Sequence, residues 1–498
     1  MTQQEQTTDQ TQEIEELKGR ALGLAPAALL VGGEWRGTAS GGEILVENPA
    51  TGQVIAAIPA AGQEEGVAAL DAAAGAAKAW AATAPRQRGE VLRKAFDLIT
   101  LREREFAALI TLEMGKPLAD ALGEVRYGAE FFRWYAEEAV RLYGRTATSP
   151  EGHLDILTVP RPVGPCLFIT PWNFPLAMAT RKIGPALAAG CTCVVKPASL
   201  TPLSTLAVAK VLEEAGVPQG VVNVVPARGA GATAAILADN RLRKLSFTGS
   251  TPVGQRLLAD AAPGVLRTSM ELGGCAPFIV FADADLDVAV DAAVAAKTRS
   301  NGEACNAANT FYAHASVADQ FAERLAERFA AIRVGDGLLP GVGLGPLVSK
   351  DQRLTVAGLV DAAVGGAARP LTGGEVPEGA GYFYPPTVLA GVGEGASILT
   401  TEIFGPVAPV TSFETVEEVL ARANSVDVGL AGYVYTRDMA LVQRCARDLE
   451  VGMLAVNTGP ISNAAAPFGG IKHSGLGREG GPEGIQEYVD TLYVGLPR

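Results

Sequence analysis

The segment at residues 191–226 reads CTCVVKPASLTPLSTLAVAKVLEEAGVPQGVVNVVP. A short apolar run ends at Lys196, a segment of helix length follows up to Gly216, and a second apolar run, VVNVV, comes next. Neighbouring parallel strands need a long crossover connection, and a helix is the usual one. The segment therefore predicts a strand–helix–strand unit of a parallel sheet.

Similar units lie on both sides of this segment. The apolar runs GPCLFIT at 164–170 and KLSFTG at 244–249 are each followed by a segment of helix length. A second alternating series starts near Ala276 and continues through GYVYT at 432–436 and VGMLAVN at 451–457. This alternation predicts an α/β fold with parallel sheets and crossover helices.

The composition of the 498-residue chain is typical of a packed globular protein, with 48% hydrophobic and 19% charged residues. The formal net charge of −13 argues against a general nucleic-acid-binding protein, because neutralising phosphates requires a basic face. Six cysteines and three histidines favour neither a disulfide framework nor a metal site, so we expect a reducing cytoplasm and no metal.

Neither the N-terminal segment nor the uncharged stretch at 162–180 resembles a membrane segment. Residues 1–26 begin with a polar, acidic sequence that lacks the features of a signal or transit peptide, and we expect a flexible tail there. Residues 162–180 carry no charge, but their four prolines argue against a membrane-spanning helix. No membrane partner is expected.

Two glycine-containing turns are candidates for phosphate binding. GAGATA at 229–234 matches a loose dinucleotide fingerprint, but no suitable carboxylate follows, and we favour an ordinary turn. Gly249, Ser250 and Gly254 follow a strand at a predicted helix N-terminus, where free N–H groups favour an anion. Lys196 ends a neighbouring strand, and α/β sheets bind their ligands at such strand ends.

The stretch KTRSNGEACNAAN at 297–309 places Cys305 among small and polar residues. A buried structural cysteine usually has apolar neighbours, whereas Asn301, Glu303 and Asn306 lie close to this one. Taken alone, the stretch leaves a reactive thiol and an inert thiol equally open. A thiolate attacks carbonyl carbons well once its pKa is lowered.

Seven motifs with a consistent order and spacing complete the pattern. They are PWNFP at 171–175, VVKPAS at 194–199, FTGS at 247–250, MELGG at 270–274, NGEAC at 301–305, EIFGPV at 402–407 and PFGGIKHSGLGREG at 467–480. Together they resemble the aldehyde dehydrogenase superfamily over residues 31–493. Glu271 and Cys305 are separated by 34 residues, which agrees with this resemblance.

The resemblance implies an aldehyde dehydrogenase-like fold, with two parallel-sheet, Rossmann-like domains and a small β extension used for oligomerisation. We assign residues 27–142 and 163–271 to a discontinuous cofactor-binding domain and residues 272–465 to a catalytic domain. Residues 143–162 and 480–498 are assigned to the extension. A homodimer or homotetramer is therefore expected.

The implied reaction is the NAD(P)-dependent oxidation of an aldehyde to a carboxylate. Cys305 resembles the nucleophile that forms a thiohemiacetal and, after hydride transfer, a thioester. The side chain of Asn173 and the backbone N–H of Cys305 would hold the oxyanion, which needs positioned donors in a water-poor pocket. Glu271 resembles the general base that activates the hydrolytic water. Lys182 matches a lysine near the family's catalytic site.

The family's cofactor-binding positions correspond to Thr170, Pro171, Trp172, Lys196, Ser199, Gly249, Ser250, Gly254, Leu272, Glu402 and Phe404. By the resemblance, Lys196 and Glu402 contact the riboses. Many NAD-preferring relatives have a glutamate at the position of Ser199. A carboxylate there would repel the 2′-phosphate of NADP, so we expect NADP to be preferred and NAD to remain possible.

Arg181, Arg299 and Ser462 resemble the residues that bind the substrate carboxylate in the succinate-semialdehyde dehydrogenase branch of the superfamily. An arginine fork can bind a carboxylate bidentately, although either arginine alone is equally compatible with a structural salt bridge. The expected reaction is oxidation of succinate semialdehyde to succinate. The alternatives are glutarate semialdehyde or a broader range of aldehydes, a thiol esterase that needs no nicotinamide, and an inactive member of the family.

Three positions depart from the family pattern. Glu303 stands where glutamine is usual and is expected to alter the local pKa, and Cys275 replaces a common asparagine or lysine. Ala307 removes the second cysteine on which the redox switch of some relatives depends. None of these changes removes a catalytic group.

Overall fold

The computed structural model describes the backbone of residues 3–366 and 368–498 and the side chains of residues 11–366 and 368–498. The α-helices are α1 Gln3–Leu22, α2 Gln63–Ala82, α3 Pro85–Leu101, α4 Glu103–Met114, α5 Leu118–Glu138, α6 Ala177–Ala189, α7 Leu203–Ala215, α8 Gly231–Leu237, α9 Thr251–Ala261, α10 Leu286–Thr298, α11 Ala318–Ala330, α12 Lys350–Gly365, α13 Val416–Asn424, α14 Met439–Asp448 and α15 Gly481–Gln486. Short 3₁₀ turns occur at Ala262–Gly264, Arg299–Gly302 and Ser397–Leu399.

The strands alternate with these helices over most of the chain. Those of the first half are β1 Leu29–Val31, β2 Glu34–Arg36, β3 Glu43–Asn48, β4 Gln53–Pro59, β5 Arg145–Thr148, β6 Leu154–Pro162, β7 Cys166–Ile169, β8 Cys193–Lys196, β9 Val222–Val224, β10 Lys244–Thr248 and β11 Arg267–Glu271. Those of the second half are β12 Ala276–Val280, β13 Ala308–His314, β14 Arg369–Thr372, β15 Thr387–Ala390, β16 Val407–Phe413, β17 Val428–Gly429, β18 Ala431–Tyr435, β19 Met453–Val456, β20 Ile471–Lys472, β21 Gly475–Leu476 and β22 Val489–Pro497.

The first large sheet has the strand order β2-β1-β9-β8-β7-β10-β11-β21. Its five central strands, from β9 to β11 in this order, are parallel. Antiparallel strands flank them at both edges of the sheet. The four apolar runs around the opening segment form β7, β8, β9 and β10, as the alternating pattern predicts. These strands are buried, which explains why their sequences are continuously apolar rather than alternating.

The second large sheet has the order β14-β15-β16-β13-β12-β18-β19 and is parallel except for β14 at its edge. A third, antiparallel sheet contains β22, β6 and β5, in which Val489 pairs with Pro162 and Pro497 with Leu154. The predicted α/β fold with two parallel sheets and a small β extension is therefore confirmed. The boundaries assigned to the domains remain predictions.

The N-terminal segment departs from the flexible tail expected over residues 1–26, because Gln3–Leu22 forms α1. Ile14, Leu17 and Ala21 recur at helical spacing within the polar sequence, and Leu17 and Ala21 are buried. The helix packs on α4, where the Nε of Arg20 lies 3.8 Å from the Oε1 of Glu105. The narrow apolar stripe of α1 therefore packs this helix against the rest of the protein, although its sequence is mostly polar.

Candidate active site

The carboxyl ends of the central strands of the first sheet lie along one edge, as parallel register requires. Ile169 pairs with Lys196 and Thr248 with Glu271, so the loops after β7, β8, β10 and β11 meet there. A cavity of about 270 Å³ opens at this edge. Its walls are Pro171, Trp172, Asn173, Met178, Thr248, Gly249, Ser250, Glu271, Leu272, Gly273, Cys305, Gln352, Thr355, Glu402, Ile403 and Phe404.

Cys305 lies at the inner wall of this cavity, after a turn with an unusual backbone. Ser300, Asn301 and Gly302 all have positive φ angles, of 54°, 61° and 75°. A Cβ on Gly302 would lie 2.5 Å from the backbone of Gly405, so glycine is required at this position. Burial raises the pKa of the Cys305 thiol to about 12, and the positive charge of Arg181 opposes this rise.

Hydrogen bonds from distant parts of the chain hold this turn. The Oδ2 of Asp120 accepts the Ser300 N–H at 2.7 Å. The side chain of Asn301 donates to the Pro346 carbonyl and accepts the Gly345 N–H, both at 2.8 Å. Residues with φ > 0 other than glycine are strained, so these contacts fix a conformation that the turn would not adopt alone.

Asn173 is buried in the wall of the same cavity as Cys305 and has one free amide proton available for an oxyanion. Its Nδ2 donates to the Glu303 carbonyl at 2.8 Å, which uses one of the two N–H groups of the amide. The Nζ of Lys116 donates to the backbone carbonyl of Asn173 at 2.6 Å and to Oε2 of Glu124 at 2.6 Å. The Oε1 of Glu124 accepts the backbone N–H of Leu176 at 3.0 Å. A buried ion pair therefore positions the predicted oxyanion donor.

Glu271 ends β11, and both of its carboxylate oxygens are buried without a hydrogen-bond partner. Burial and the nearby negative charge of Glu479 raise the pKa of Glu271 well above its ordinary value. A carboxylate that is easily protonated and has free lone pairs suits a general base. Neither oxygen is occupied by the neighbouring cations, which pair with Glu479 instead.

Glu479 holds Arg181 and Lys182 in one buried cluster. Its Oε2 lies 2.5 Å from the Nε of Arg181, and its Oε1 accepts from the Nζ of Lys182 at 2.5 Å. Burial disfavours its charge, yet the two cations lower the pKa of Glu479 to about 2. Lys182 also donates to the Ser246 hydroxyl at 2.8 Å. The charge of Arg181, predicted to bind substrate, is thus largely balanced by this protein carboxylate.

The outer part of the cavity has the features of a nucleotide site. Ser250 is the N-cap of the eleven-residue α9, and its side chain makes no capping hydrogen bond, so the helix N-terminus is open toward the cavity. Glu402 accepts the Gly274 N–H at 3.3 Å, and burial raises its pKa to about 7. Trp172 and Phe404 pack edge to face with their ring centroids 5.2 Å apart.

Several predicted cofactor residues lie behind this wall rather than in it. Gly254 packs under Leu272, since a Cβ there would lie 2.4 Å from a Leu272 methyl carbon. The Thr170 N–H donates to the Lys196 carbonyl at 3.2 Å and so joins two of the converging loops. Lys196 and Ser199 are half-buried at the end of β8. Burial lowers the pKa of Lys196.

On the opposite side of Cys305, Arg299 and Ser462 are brought together although they are far apart in the sequence. The Nη2 of Arg299 donates to Oδ1 of Asn306 at 3.2 Å, and the Nδ2 of Asn306 donates to the Ser462 hydroxyl at 3.3 Å. The Nε of Arg299 is buried without a partner, and the ring of Phe174 lies 5.4 Å from its guanidinium carbon. The Arg299 guanidinium therefore keeps an unused donor near the Cys305 thiol. Its positive charge acts to lower the pKa of that thiol, against the larger effect of burial.

Glu303 does not face the thiol. Its Oε1 accepts the Val348 N–H at 3.1 Å, and its Oε2 is buried without a partner. Burial raises the pKa of Glu303 well above its ordinary value and so favours the neutral acid over the carboxylate. A neutral carboxyl group resembles the glutamine amide that it replaces in size and hydrogen bonding.

The sequence did not identify Lys116, Glu124, Glu479 or Asn306 as functional residues. Glu479 falls within the PFGGIKHSGLGREG motif, so its position was a usable signal. Lys116 and Glu124 lie far from any catalytic motif, and only the fold brings them to Asn173. Among residues 11–366 and 368–498, no cluster of three or more metal-ligating side chains occurs. No described helix is both long and apolar enough to span a bilayer.

Comparison with known proteins gives consistent matches. The model of the aldehyde dehydrogenase family matches residues 35–494. A succinate-semialdehyde dehydrogenase of Paenarthrobacter nicotinovorans is 57% identical over 444 residues, which cover 89% of this chain and 99% of that protein. A glutarate-semialdehyde dehydrogenase of Pseudomonas putida is 46% identical over 464 residues, covering 93% and 96%. A solved NADP-dependent enzyme of E. coli has a TM-score of 0.94 at 44% identity, covering 96% and 99%.

Proposed function

Because the chain belongs to the aldehyde dehydrogenase family and is therefore an oxidoreductase, we propose that it oxidises succinate semialdehyde to succinate with NADP. The observation that carries the proposal is the unpaired Nε of Arg299, which is buried near Cys305. A buried cation with unused donors favours an anionic ligand. The relative that is 57% identical is a succinate-semialdehyde dehydrogenase, which supports the same substrate.

In the first half of the reaction the Cys305 thiol loses its proton to solvent, and the thiolate sulfur bonds to the carbonyl carbon of the substrate as the C=O π bond opens. As this bond forms, charge develops on the carbonyl oxygen, and the free N–H of Asn173 and the Cys305 N–H stabilise it. Bound NADP supplies the hydride acceptor. Loss of the hydride converts the thiohemiacetal on Cys305 into a thioester.

The second half of the reaction breaks this thioester. Glu271 takes a proton from a water molecule, whose oxygen attacks the thioester carbon and releases the carboxylate and the Cys305 thiolate. The raised pKa of Glu271 makes it a stronger base than an ordinary carboxylate. Glu479 holds Arg181 and Lys182 in place beside this step.

The residues of the outer cavity fit a dinucleotide. The open N-terminus of α9 offers N–H groups and a positive dipole end to a pyrophosphate. The carboxylate of Glu402 can accept hydrogen bonds from ribose hydroxyl groups. Lys196 and the neutral Ser199 lie at the end of a strand. Because neither side chain is a carboxylate, neither would repel a 2′-phosphate bound there.

The direct test compares succinate semialdehyde with butanal, an uncharged aldehyde of equal chain length, in an assay of NADPH formation. Removing the substrate carboxylate leaves Arg299 without a partner, so kcat/KM for butanal is expected to be lower by about 100-fold or more. Equal values would contradict the proposal and indicate a broader aldehyde dehydrogenase. Hydrolysis of a thioester or ester without any nucleotide-dependent oxidation would instead indicate a thiol esterase.

Replacing Ser199 with glutamate is expected to weaken NADP binding by about tenfold or more, because the new carboxylate would repel the 2′-phosphate of NADP. NAD binding, which involves no 2′-phosphate, should change little or improve. Nucleotide dissociation constants measured by fluorescence titration provide the readout. Ser199→Ala, which stays small and neutral, should keep the NADP preference. Parallel losses for NADP and NAD in the glutamate variant would contradict the assignment of Ser199.

We also propose that the protein acts in the cytoplasm as a homodimer or homotetramer, with no nucleic-acid or membrane partner. All six cysteines are unpaired, which supports a reducing compartment. The sheet formed by β5, β6 and β22 leaves Tyr493 and Leu496 exposed. Exposed apolar side chains on a projecting sheet support its use as a subunit contact.

A further inference from the structure

Asn306 directly follows the predicted nucleophile and joins the two residues assigned to the substrate carboxylate. Its Oδ1 accepts from the Nη2 of Arg299 at 3.2 Å, while its Nδ2 donates to the Ser462 hydroxyl at 3.3 Å and to the Ile461 carbonyl at 3.1 Å. An amide accepts at one end and donates at the other, so one uncharged side chain ties the arginine to this distant loop.

The amide itself is held in place from the second sheet. The hydroxyl of Tyr433, a fully buried residue of β18, donates to the backbone carbonyl of Asn306 at 2.6 Å. The Asn306 side chain is also buried, with 2% of its surface exposed. Asn306 therefore has few alternative positions, and the guanidinium that it contacts is oriented by a rigid partner.

Asn306 orients Arg299 without neutralising it. In the part of the chain that the structure describes, no carboxylate oxygen lies within 4.0 Å of the Arg299 nitrogens. Arg299 interacts electrostatically with Asp120, whose carboxyl group accepts the Ser300 N–H and whose pKa burial raises. Tyr127, Tyr433, Lys116 and Cys305 are further titratable groups that interact with Arg299 electrostatically.

Arg181 provides the contrast. Its Nε lies 2.5 Å from a Glu479 oxygen, so a protein carboxylate already balances its charge. Both arginines keep buried donors without a hydrogen-bond partner, but Arg299 is the one that has no protein carboxylate in contact with it. A carboxylate in place of the Asn306 amide would remove that difference.

We propose that Asn306 is a specificity-determining positioning residue: by holding Arg299 with a neutral acceptor, it preserves the charge that selects aldehydes with a terminal carboxylate. The inference rests on the proposed function. It predicts that the preference for an acidic aldehyde depends on the neutrality of residue 306, independently of the thiol chemistry next to it.

The decisive variant is Asn306→Asp, which keeps the size and the acceptor but pairs Arg299 with an internal carboxylate. We expect kcat/KM for succinate semialdehyde to fall by about 100-fold, mainly through KM, with a change below about threefold for butanal. Asn463→Asp places the same charge on the exposed neighbour of Ser462 and should leave the ratio of the two substrates unchanged. Combining Asn306→Asp with Arg299→Met should add little to the loss caused by Arg299→Met, because both act through one contact.

A second measurement does not require turnover. Succinate should protect the Cys305 thiol of the wild-type protein from iodoacetamide, and Asn306→Asp should raise the protecting concentration by about tenfold or more. Equal protection of wild type and variant, or equal kinetic losses for both aldehydes, would overturn the role of Asn306. If the wild-type protein does not prefer succinate semialdehyde over butanal, the proposed function is overturned instead. The protection assay would still decide whether Asn306 controls the binding of a carboxylate. Melting temperatures of all variants separate these outcomes from misfolding.

Discussion

Replacing Cys305 with alanine is expected to lower NADP-linked aldehyde oxidation by on the order of 10⁴-fold or more, because the covalent route is lost entirely. Among the described residues, Cys305 is the one cysteine in the cavity wall that also holds Glu271 and Asn173. Binding of NADP should change little, since the side chain is small and the outer cavity is untouched. NADPH formation and fluorescence titration of the nucleotide measure the two effects.

The matched control is Cys275→Ala. Cys275 is the other partly exposed thiol, but its Sγ contacts the Thr400 carbonyl rather than the inner cavity. Its removal should leave turnover within about threefold of the wild-type value, as expected for a site outside the reacting atoms. Substantial NADP-linked oxidation by the Cys305→Ala protein would show that another residue is the nucleophile.

The second large effect is expected for Glu271→Gln. The amide cannot accept a proton from water, so hydrolysis of the thioester should slow by about 10²- to 10⁴-fold while the first hydride transfer survives. Rapid mixing should therefore show a burst of about one NADPH per subunit, followed by slow turnover, as for an accumulating covalent intermediate. The acylated protein should be visible by mass spectrometry.

The dependence on pH follows from the environment of Glu271. Burial and Glu479 raise the pKa of Glu271, so a larger share of this group is protonated and inactive as a base near neutral pH. Deacylation in the wild-type protein should consequently increase as the pH rises through this raised pKa, and Glu271→Gln should lose that increase.

Glu303→Gln serves as the matched control for Glu271→Gln. It makes the same substitution at another buried glutamate, whose pKa burial also raises and whose Oε1 accepts the Val348 N–H. Its turnover should stay close to the wild-type value. A full loss of the burst in Glu271→Gln would mean that Glu271 is needed before the thioester forms, contrary to its assigned role.

Much of the fold could be predicted because its strands are buried on both faces. A continuous apolar run such as that ending at Lys196 stands out in the sequence, and its carboxyl end indicates where a ligand binds. The helix α1 was not predicted, since only a narrow stripe of apolar residues including Leu17 distinguishes it from a polar tail. The average composition of the segment does not reveal such a stripe.

The site was predicted less completely than the fold, for a physical reason. Cys305 and Glu271 carry chemistry that their local motifs reveal. The groups that position them act across the fold: Lys116 reaches Asn173, and Glu479 reaches Arg181. A single sequence gives no measure of such distances. It therefore presented Arg181 and Arg299 as equals, although only one of them is paired with a protein carboxylate.

The turn before Cys305 affects how the protein unfolds. Its strained residues are held by Asp120 on α5 and, through Asn301, by the Gly345–Pro346 segment, while Tyr433 of β18 in the second sheet holds the carbonyl of Asn306 just after Cys305. Opening this turn requires contacts in widely separated parts of the molecule to break together. Its local opening free energy should then approach that of global unfolding, unlike that of an ordinary surface loop. The nucleophile belongs to the same cooperative unit as the sheets.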